Sequence, residues 1–347
     1  MTLVGHLHYR SDPRKVKLTY AYAAVAKAEG IDYVYFTPGR VSLQNQDILG
    51  WVYQDGKWLE KTVRFPDVIY NEAVRSEKLC PVVTRLRENI PFTSHSIGDK
   101  LSVYERLNKT SFQQYLIPTR EVKIVKEDLS HFLNQYKKVV VKPLWGSKGN
   151  GVIIIDTLGE NHYEIVSNDK TATCMLDELP IFVGEMYREE PILVQKYITC
   201  VTKSGQPYDF RLHVQKDGTG KWVITSVYYR LALSGNITSN LSSGGYTGHL
   251  DSFLRQEYAE EAYNMRCYLE QFGLQLAAEI DAVYDESFDE LGIDVGVDAM
   301  RKAWIYEVNW KPGCPPSLYL ELDVARNAIL YAEFLANQYK YRNIPCL

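Results

Sequence analysis

Short apolar runs alternate with amphipathic helical stretches over the first quarter of the chain. The apolar runs that predict strands are residues 3–7, 33–36 and 66–70. A helical pattern over residues 17–28 ends at Glu29-Gly30, a typical helix stop. Asp55-Gly56 separates two further apolar runs and predicts a hairpin. Strand–helix–strand alternation of this kind implies a small α/β unit with a partly parallel sheet.

From residue 97 onward the strands and helices that the pattern predicts become longer. The predicted helices are 99–107, 127–136, 251–284 and 317–339. The predicted strands are one near Val122 and those at 139–141, 151–155, 192–198, 209–215, 222–231, 292–298 and 304–309. We therefore predict a protein of the α/β (α+β) class with three domains, at residues 1–96, 97–198 and 199–347.

Charge, hydropathy and cysteine spacing limit the classes of partner. The net charge is −4, from 39 basic and 43 acidic residues that are well mixed, which argues against nucleic acid held by a general positive field. No run approaches the roughly 18 apolar residues of a membrane span. The six cysteines show no CxxC spacing, so reduced thiols are the simplest interpretation. We expect a soluble, cytoplasmic protein.

The first motif with recognisable chemistry is a buried strand that leads through Lys142 into a glycine-rich loop. The loop residues of interest are Gly146, Ser147, Lys148, Gly149 and Gly151. Glycines let backbone N–H groups approach an anion, and lysine adds a point charge that suits phosphate. The spacing is not that of a P-loop, and a protein kinase places its glycine loop before the strand lysine. A hairpin whose turn is merely glycine-rich is the alternative explanation.

The second motif is a set of oxygen-bearing side chains near the end of two apolar strands. Asp294 precedes Glu307 along the chain, and a turn between their strands predicts an antiparallel pair. Glu307 and Asn309 are two residues apart, so they share a face of their strand. Two carboxylates and an amide oxygen are hard ligands that suit Mg²⁺. The alternative is that these are solvated strand-end residues, although unpaired charge in an apolar strand is costly.

Further candidates lie outside these two motifs. Asn240 and Gly244 belong to a polar loop at residues 234–248 that could form part of a substrate pocket. An ordinary solvated hairpin loop explains that segment at least as well. Lys311 follows the strand that carries Glu307 and Asn309, and it could hold an anionic substrate.

The order and spacing of the motifs resemble the ATP-grasp superfamily over residues 97–315. The resemblance consists of a strand lysine, a glycine loop, and then Asp294 followed by Glu307-Val-Asn309 and Pro312-Gly313. The N-terminal part is similar to the endospore-coat-associated YheC/YheD branch. The residues of that similarity are Phe36-Thr37, Gly50–Tyr53, Trp58 and Pro66–Asn71. The implied fold has an N-terminal α/β pre-ATP-grasp domain, a lid domain, and a C-terminal mixed-sheet domain with the catalytic residues.

The resemblance implies a role for most of the candidate residues. Lys100 corresponds to the first phosphate-binding lysine and Lys142 to the second, while the loop from Gly146 to Gly151 closes over the phosphates. The residues that correspond to the adenine-binding hinge are Gln195, Lys196, Tyr197 and Ile198. The residues that correspond to the Mg²⁺ ligands are Asp294, Glu307 and Asn309.

One position departs from the pattern. Some ATP-grasp ligases carry an arginine two residues before the aspartate ligand, and this chain has Gly292 there. The role of holding an acyl phosphate is therefore expected to fall to Arg230 or Arg211, which lie on predicted strands near the site.

The implied activity is ATP-dependent ligation of a carboxylate to an amine through an acyl phosphate, with ATP and Mg²⁺ as cofactors and ADP and phosphate as products. The substrates would be amino acids or peptides, and spore-coat proteins are possible partners. Two alternatives use the same fold. One is a nucleotide-binding scaffold of the spore coat, and the other is a kinase that stops after phosphorylation.

Overall fold

Three β-sheets make up the computed structural model of this protein. The structure describes residues 1–72, 80–146, 150–167, 170–188, 190–233, 239, 241, 244–315 and 320–342. Each sheet has a hydrophobic cluster on at least one face, and helices cover these faces.

The first sheet is the predicted α/β unit. Its strands are β1 (Leu3–Leu7), β2 (Asp32–Phe36), β3 (Val41–Ser42), β4 (Asp47–Gln54), β5 (Lys57–Arg64) and β6 (Val68–Asn71). β1 pairs in parallel with both β2 and β6, and β4 and β5 form the predicted hairpin. Asp55 and Gly56 both have positive φ, as the two central residues of a type I′ turn require. The sequence prediction of a partly parallel sheet is confirmed.

Three helices accompany the first sheet. They are α1 (Thr19–Ala28), α2 (Pro81–Arg87) and the C-terminal α8 (Leu320–Arg342). α8 returns from the far end of the chain and packs Ala325, Ile329 and Ala332 into the same cluster as β1, β2 and α1. No helix in the described part of the chain combines the length and hydropathy needed to cross a bilayer.

The second sheet is antiparallel throughout and carries the predicted lysine strand. Its strands are β7 (Thr119–Val122), β8 (Lys138–Pro143), β9 (Ile153–Gly159), β10 (His162–Val166), β11 (Thr171–Met175) and β12 (Ile192–Lys196). β12 lies between β8 and β7. Helices α4 (Val125–Tyr136) and α5 (Leu179–Tyr187) cover one face of this sheet. The other face, which bears Lys142, Leu193 and Gln195, turns towards the third sheet.

The third sheet contains the strands of the predicted metal site. Its order is β14 (Trp222–Leu231), β13 (Tyr208–Lys216), β15 (Glu290–Val297) and β16 (Ala303–Asn309), all antiparallel. One face packs against α6 (Leu250–Tyr258), α7 (Ala262–Val283) and α3 (Lys100–Leu107). β14 and β16 are the two edge strands, and among the described residues an isolated bridge between Leu116 and Ile305 continues the pairing beyond β16.

The sequence predicted most of these elements within a few residues. It missed β3, α2, β10, β11 and α5, all of which are short elements of two to nine residues. It also predicted one helix over 251–284, whereas the chain forms α6 and α7 with a short 3₁₀ turn at Ala259–Glu261. Ala259 at this break has a positive φ of 51°, which an α-helix does not tolerate.

The turn between β13 and β14 depends on a glycine that α8 covers. Gly220 has a φ of +77°, and a Cβ there would lie 2.5 Å from the ring of Phe334 on α8. Gly30 has a similar φ of +72° but no atom within 4 Å of its Cβ position. Gly220→Ala should therefore lower the free energy of unfolding by about 1–3 kcal/mol more than Gly30→Ala. Denaturant unfolding of both variants measures the difference. Equal losses would contradict the packing of α8 on this turn.

Candidate active site

The backbone register of β15 and β16 brings the predicted metal ligands to one face. Asp294 lies directly opposite Glu307, and Gly292 lies opposite Asn309. Residues two apart on a strand share a face, so the two carboxylates and the amide form one group. Asp294 is buried, whereas Glu307 is 29% exposed.

A β-bulge in β16 lies next to Glu307. The register shifts so that Asp294 pairs with Glu307 while Val295 pairs with Ile305, which leaves Tyr306 as the extra residue. The Tyr306 ring lies over Gly296, where a Cβ would be 2.1 Å from the tyrosine oxygen. Burial raises the pKa of Tyr306 well above its usual value. Sequence reasoning missed Tyr306, because an alternating pattern does not reveal an extra residue.

Two lysines approach Glu307 from the second sheet and from α3. Lys100 begins α3, and its Nζ lies 3.8 Å from Glu307 Oε1 and donates to the carbonyl oxygen of Gly146 at 2.7 Å. Asp99 caps this helix by accepting from the backbone N–H of Ser102. Burial lowers the pKa of Lys142 to about 8, although the negative charge of Glu307 opposes this effect. The fold thus brings together two of the predicted phosphate-binding cations.

Two buried arginines alternate with two buried carboxylates on the same sheet. Arg211 donates to both oxygens of Asp294, and its Nη2 lies 3.0 Å from Oδ2. Arg230 donates from Nε to Asp209 Oδ1 at 2.7 Å, and its Nη2 lies 3.1 Å from Asp294 Oδ1. Burial disfavours an ionised Asp294, but the two guanidinium groups outweigh it and lower the pKa of this carboxyl. Each buried charge is therefore compensated.

Gly292 explains how Arg211 reaches the site. A Cβ on Gly292 would lie 3.1 Å from Arg211 Nη1 and 2.5 Å from Pro312 Cβ. A larger residue at position 292 would displace one of these groups. In this chain Arg211 of the neighbouring strand β13 places a guanidinium group beside position 292.

Sequence reasoning also missed Asp209. It lies two residues before Arg211 on β13 and directly opposite Arg230 on β14. The signal that could have identified Asp209 is its carboxylate within a largely apolar strand. A buried charge of this kind requires a partner of opposite charge.

The glycine loop is described only at its two ends. The backbone carbonyl of Gly146 accepts from Lys100, and the carbonyl of Gly151 accepts from the Tyr187 hydroxyl at 2.7 Å. Gly151 has a φ of +69°, the left-handed region that glycine adopts without strain. The predicted loop residues Ser147, Lys148 and Gly149 lie outside the described residues.

Cavities adjoin this group of charged residues, and two of them reach Asp294. One of about 210 Å³ is lined by all four predicted hinge residues, and Val140 and Ile154 form an apolar wall. The hinge residues are Gln195, Lys196, Tyr197 and Ile198. A small cavity of about 130 Å³ connects the ends of the glycine loop to Lys142, Asp294 and Glu307.

The three residues predicted to contact the substrate do not lie together in one site. The ammonium of Lys311 is buried 2.9 Å from Asp289 Oδ2 and 3.2 Å from Glu290 Oε1. Burial disfavours this charge, but the carboxylates raise the pKa of Lys311 above its usual value, so it stays charged. Gly244 has a φ of +92° and lies beside Leu233. Asn240 lies outside the described residues. Neither Lys311 nor Gly244 lines the cavities described above.

The family model and the most similar relatives agree on the family of this chain. A model of the family described as YheC/D-like ATP-grasp matches residues 89–335. The chain is 25% identical over 323 residues to the endospore coat-associated protein YheD of Bacillus subtilis (strain 168), covering 87% of this chain and 70% of that protein. It is 26% identical over 298 residues to YheC of the same organism, covering 82% and 81%.

Solved structures with a similar fold are ligases and synthetases. The D-alanyl-alanine synthetase A of Vibrio cholerae O1 biovar eltor str. N16961 has a TM-score of 0.57 and 13% identity, over 98% of this chain and 99% of that chain. The N5-carboxyaminoimidazole synthetase of Staphylococcus aureus complexed with ADP has a TM-score of 0.55 and 11% identity, over 95% and 77%. At these identities the similarity shows the fold, and the predicted ATP-grasp fold is confirmed.

The buried charge of Lys142 gives a prediction about stability. Its pKa of about 8 in the folded state is below the usual value of 10.5, so burying the charge costs stability at neutral pH. This cost decreases as the pH rises from about 8 to 10.5, because the folded state loses the proton first. Lys142→Met should raise the free energy of unfolding by about 1–3 kcal/mol at pH 7 and by less at pH 9.5.

Denaturant unfolding at both pH values measures this effect. Lys138→Met is the matched control, because Lys138 lies on the same strand with a side chain that is 39% exposed and paired with Asp156. Its effect should stay within about 1 kcal/mol. A stability gain for Lys142→Met that does not depend on pH would contradict the assigned pKa.

Proposed function

Because this chain belongs to the YheC/D-like ATP-grasp family, we propose that it is an ATP-dependent ligase that joins a carboxylate to an amine. The observation that carries the proposal is the direct pairing of Asp294 with Glu307, with Asn309 on the same face and two lysines nearby. This arrangement provides oxygen ligands for a cation and ammonium groups for phosphate within one small volume.

ATP would bind with its base in the 210 Å³ cavity beside the hinge residues. The apolar side chains of Val140 and Ile154 in its wall suit an aromatic base, and the backbone at residues 195–198 offers polar groups. The triphosphate would extend past Lys142 towards the ends of the glycine loop. In support, the synthetase of Staphylococcus aureus with a similar fold was solved with ADP.

The donor set fits Mg²⁺. Asp294, Glu307 and Asn309 supply hard oxygen atoms, and few protein ligands leave positions for phosphate oxygens. Asp294 Oδ1 accepts from both Arg211 and Arg230, whereas Oδ2 accepts from Arg211 alone, so Oδ2 is the oxygen that can take a further contact with a cation. Mg²⁺ bound there would neutralise charge on the phosphates as the terminal phosphoryl group is transferred.

The chain's own residues would assist both chemical steps. In the first, a carboxylate oxygen attacks the terminal phosphorus, the bond to ADP breaks, and an acyl phosphate forms. Lys100 and Lys142 would stabilise the charge on the phosphate oxygens. In the second, an amine nitrogen attacks the acyl carbon, loses a proton, and phosphate leaves. Arg211 and Arg230 would hold the acyl phosphate, and the glycine loop would exclude water that hydrolyses it.

The cellular setting follows from the relatives. The matched Bacillus subtilis proteins are named as endospore coat-associated. We propose that this chain acts on amino acids or peptides, with spore-coat proteins among its partners.

The activity can be measured without knowing the substrate. Purified protein with ATP, Mg²⁺ and pools of amino acids and peptides should release ADP and phosphate. With ¹⁸O in the carboxylates, one labelled oxygen should appear in the phosphate, because the acyl phosphate takes it from the acid. A phosphate that stays on the substrate would indicate a kinase. Nucleotide binding without turnover across all pools would favour a scaffold instead.

Glu307→Gln tests the cation site separately from activity. The amide keeps the size of the side chain but removes its negative charge. The ratio of ADP affinity with Mg²⁺ to ADP affinity without Mg²⁺ should therefore be at least about tenfold smaller than in the unmodified protein. ADP affinity with and without Mg²⁺, measured by calorimetry, gives this ratio. Glu164→Gln is the matched control, because Glu164 lies on β10 away from the cavities. A Mg²⁺ effect that Glu307→Gln leaves intact would remove Glu307 from the site.

A further inference from the structure

A larger cavity, of about 470 Å³, lies on the other side of Lys142 and Glu307 from the proposed base site. We call it the edge cavity because it runs along β16, one of the two edge strands of the third sheet. It lies between α3 and the faces of β12 and β16. Its size is within the range of about 300–1,000 Å³ that is usual for small-molecule sites.

The inner wall of the edge cavity is apolar. Its buried side chains are Val103, Leu107, Leu116, Leu193 and Ile305. The mouth is polar and adjoins the reaction site, because Lys100, Lys142, Glu307 and Asn309 all line it. The Trp145 side chain stands at this mouth and is 65% exposed. An apolar interior with a few polar groups at one end is typical of a site for an amphipathic ligand.

The edge cavity and the proposed base site are lined by different numbers of hinge residues. Of the four, only Gln195 lines the edge cavity, whereas all four line the 210 Å³ cavity. The lining residues that the two cavities share are Ile117, Lys142, Gln195, Tyr306 and Glu307. A nucleotide in the smaller cavity therefore leaves the edge cavity open to a second ligand.

We propose that the edge cavity binds the apolar side chain of the acid substrate, which would be an amino acid or peptide with a large apolar residue at its free carboxylate. This inference rests on the proposed ligase function and names its substrate class. The side chain enters between α3 and β12, and the carboxylate stays at the mouth beside Lys100 and Lys142. From there a carboxylate oxygen can reach the phosphoryl group.

The charges at the mouth do not oppose a carboxylate. The formal charges of Lys100 and Lys142 balance those of Asp99 and Glu307, all four of which line the cavity. A carboxylate that lies beside the two ammonium groups is attracted to them.

The test uses two probes that differ only in the side chain: N-acetylphenylalanine and N-acetylglycine. Burial of the benzyl group should make N-acetylphenylalanine bind about 10–100-fold more tightly, with or without ADP and Mg²⁺. Val103→Phe fills the edge cavity and should remove this preference while ADP affinity changes less than about twofold. Val140→Phe narrows the other cavity and should do the reverse. Calorimetry or ligand-observed NMR on the full chain measures the affinity of the unmodified protein and of each variant for the two probes and for ADP.

Each outcome has a distinct meaning. If the two probes bind equally, or if Val103→Phe weakens ADP and spares N-acetylphenylalanine, the inference is overturned. If ADP does not bind but N-acetylphenylalanine binds in a manner that Val103→Phe abolishes, the edge cavity is supported and the ligase proposal fails. Should Val103→Phe not fold, Trp145→Ala replaces it, because this exposed residue can be removed without opening the core. It should weaken N-acetylphenylalanine at least threefold and leave N-acetylglycine unchanged, and an equal effect on both would also overturn the inference.

Discussion

The pairing of Asp294 with Glu307 across β15 and β16 is the constraint on which the site depends. Two carboxylates on neighbouring strands repel each other, and Asp294 is buried, so the fold must supply positive charge nearby. Arg211 and Arg230 supply it within the third sheet, and Lys100 and Lys142 supply it from outside that sheet. The unlike charges hold the faces of the second and third sheets around one centre, which separates the two cavities.

This centre also accounts for features that would be costly elsewhere. Lys142 remains on a strand where burial lowers its pKa, and a bulge at Tyr306 interrupts the pairing of β16. Proteins tolerate such features mainly where they serve a ligand. By contrast, the buried charge of Lys311 has two carboxylates of the protein beside it, those of Asp289 and Glu290.

The sequence predicted the fold and the placing of Asp294, Glu307 and Asn309 on one face of the sheet, because both depend on local patterns. The alternation of apolar and polar residues predicted the strands. The two-residue spacing of Glu307 and Asn309 predicted that they share one face of their strand. Contacts between distant segments were not predictable in this way. The approach of Arg211 to Asp294 depends on strand order and on the space at Gly292. The two strands and the helix between residues 162 and 187 were missed because each spans only five to nine residues, which is too short for a clear periodic pattern.

A crystal structure of this chain with ADP and Mg²⁺ tests the central claim most directly. We predict the cation about 2.0–2.1 Å from oxygen atoms of Glu307 and Asn309, with Asp294 in its ligand sphere or next to it. We also predict the phosphates beside Lys100 and Lys142 and the base against residues 195–198. A nucleotide bound elsewhere, or a cation held by other residues while Asp294 and Glu307 point away from it, would contradict the account.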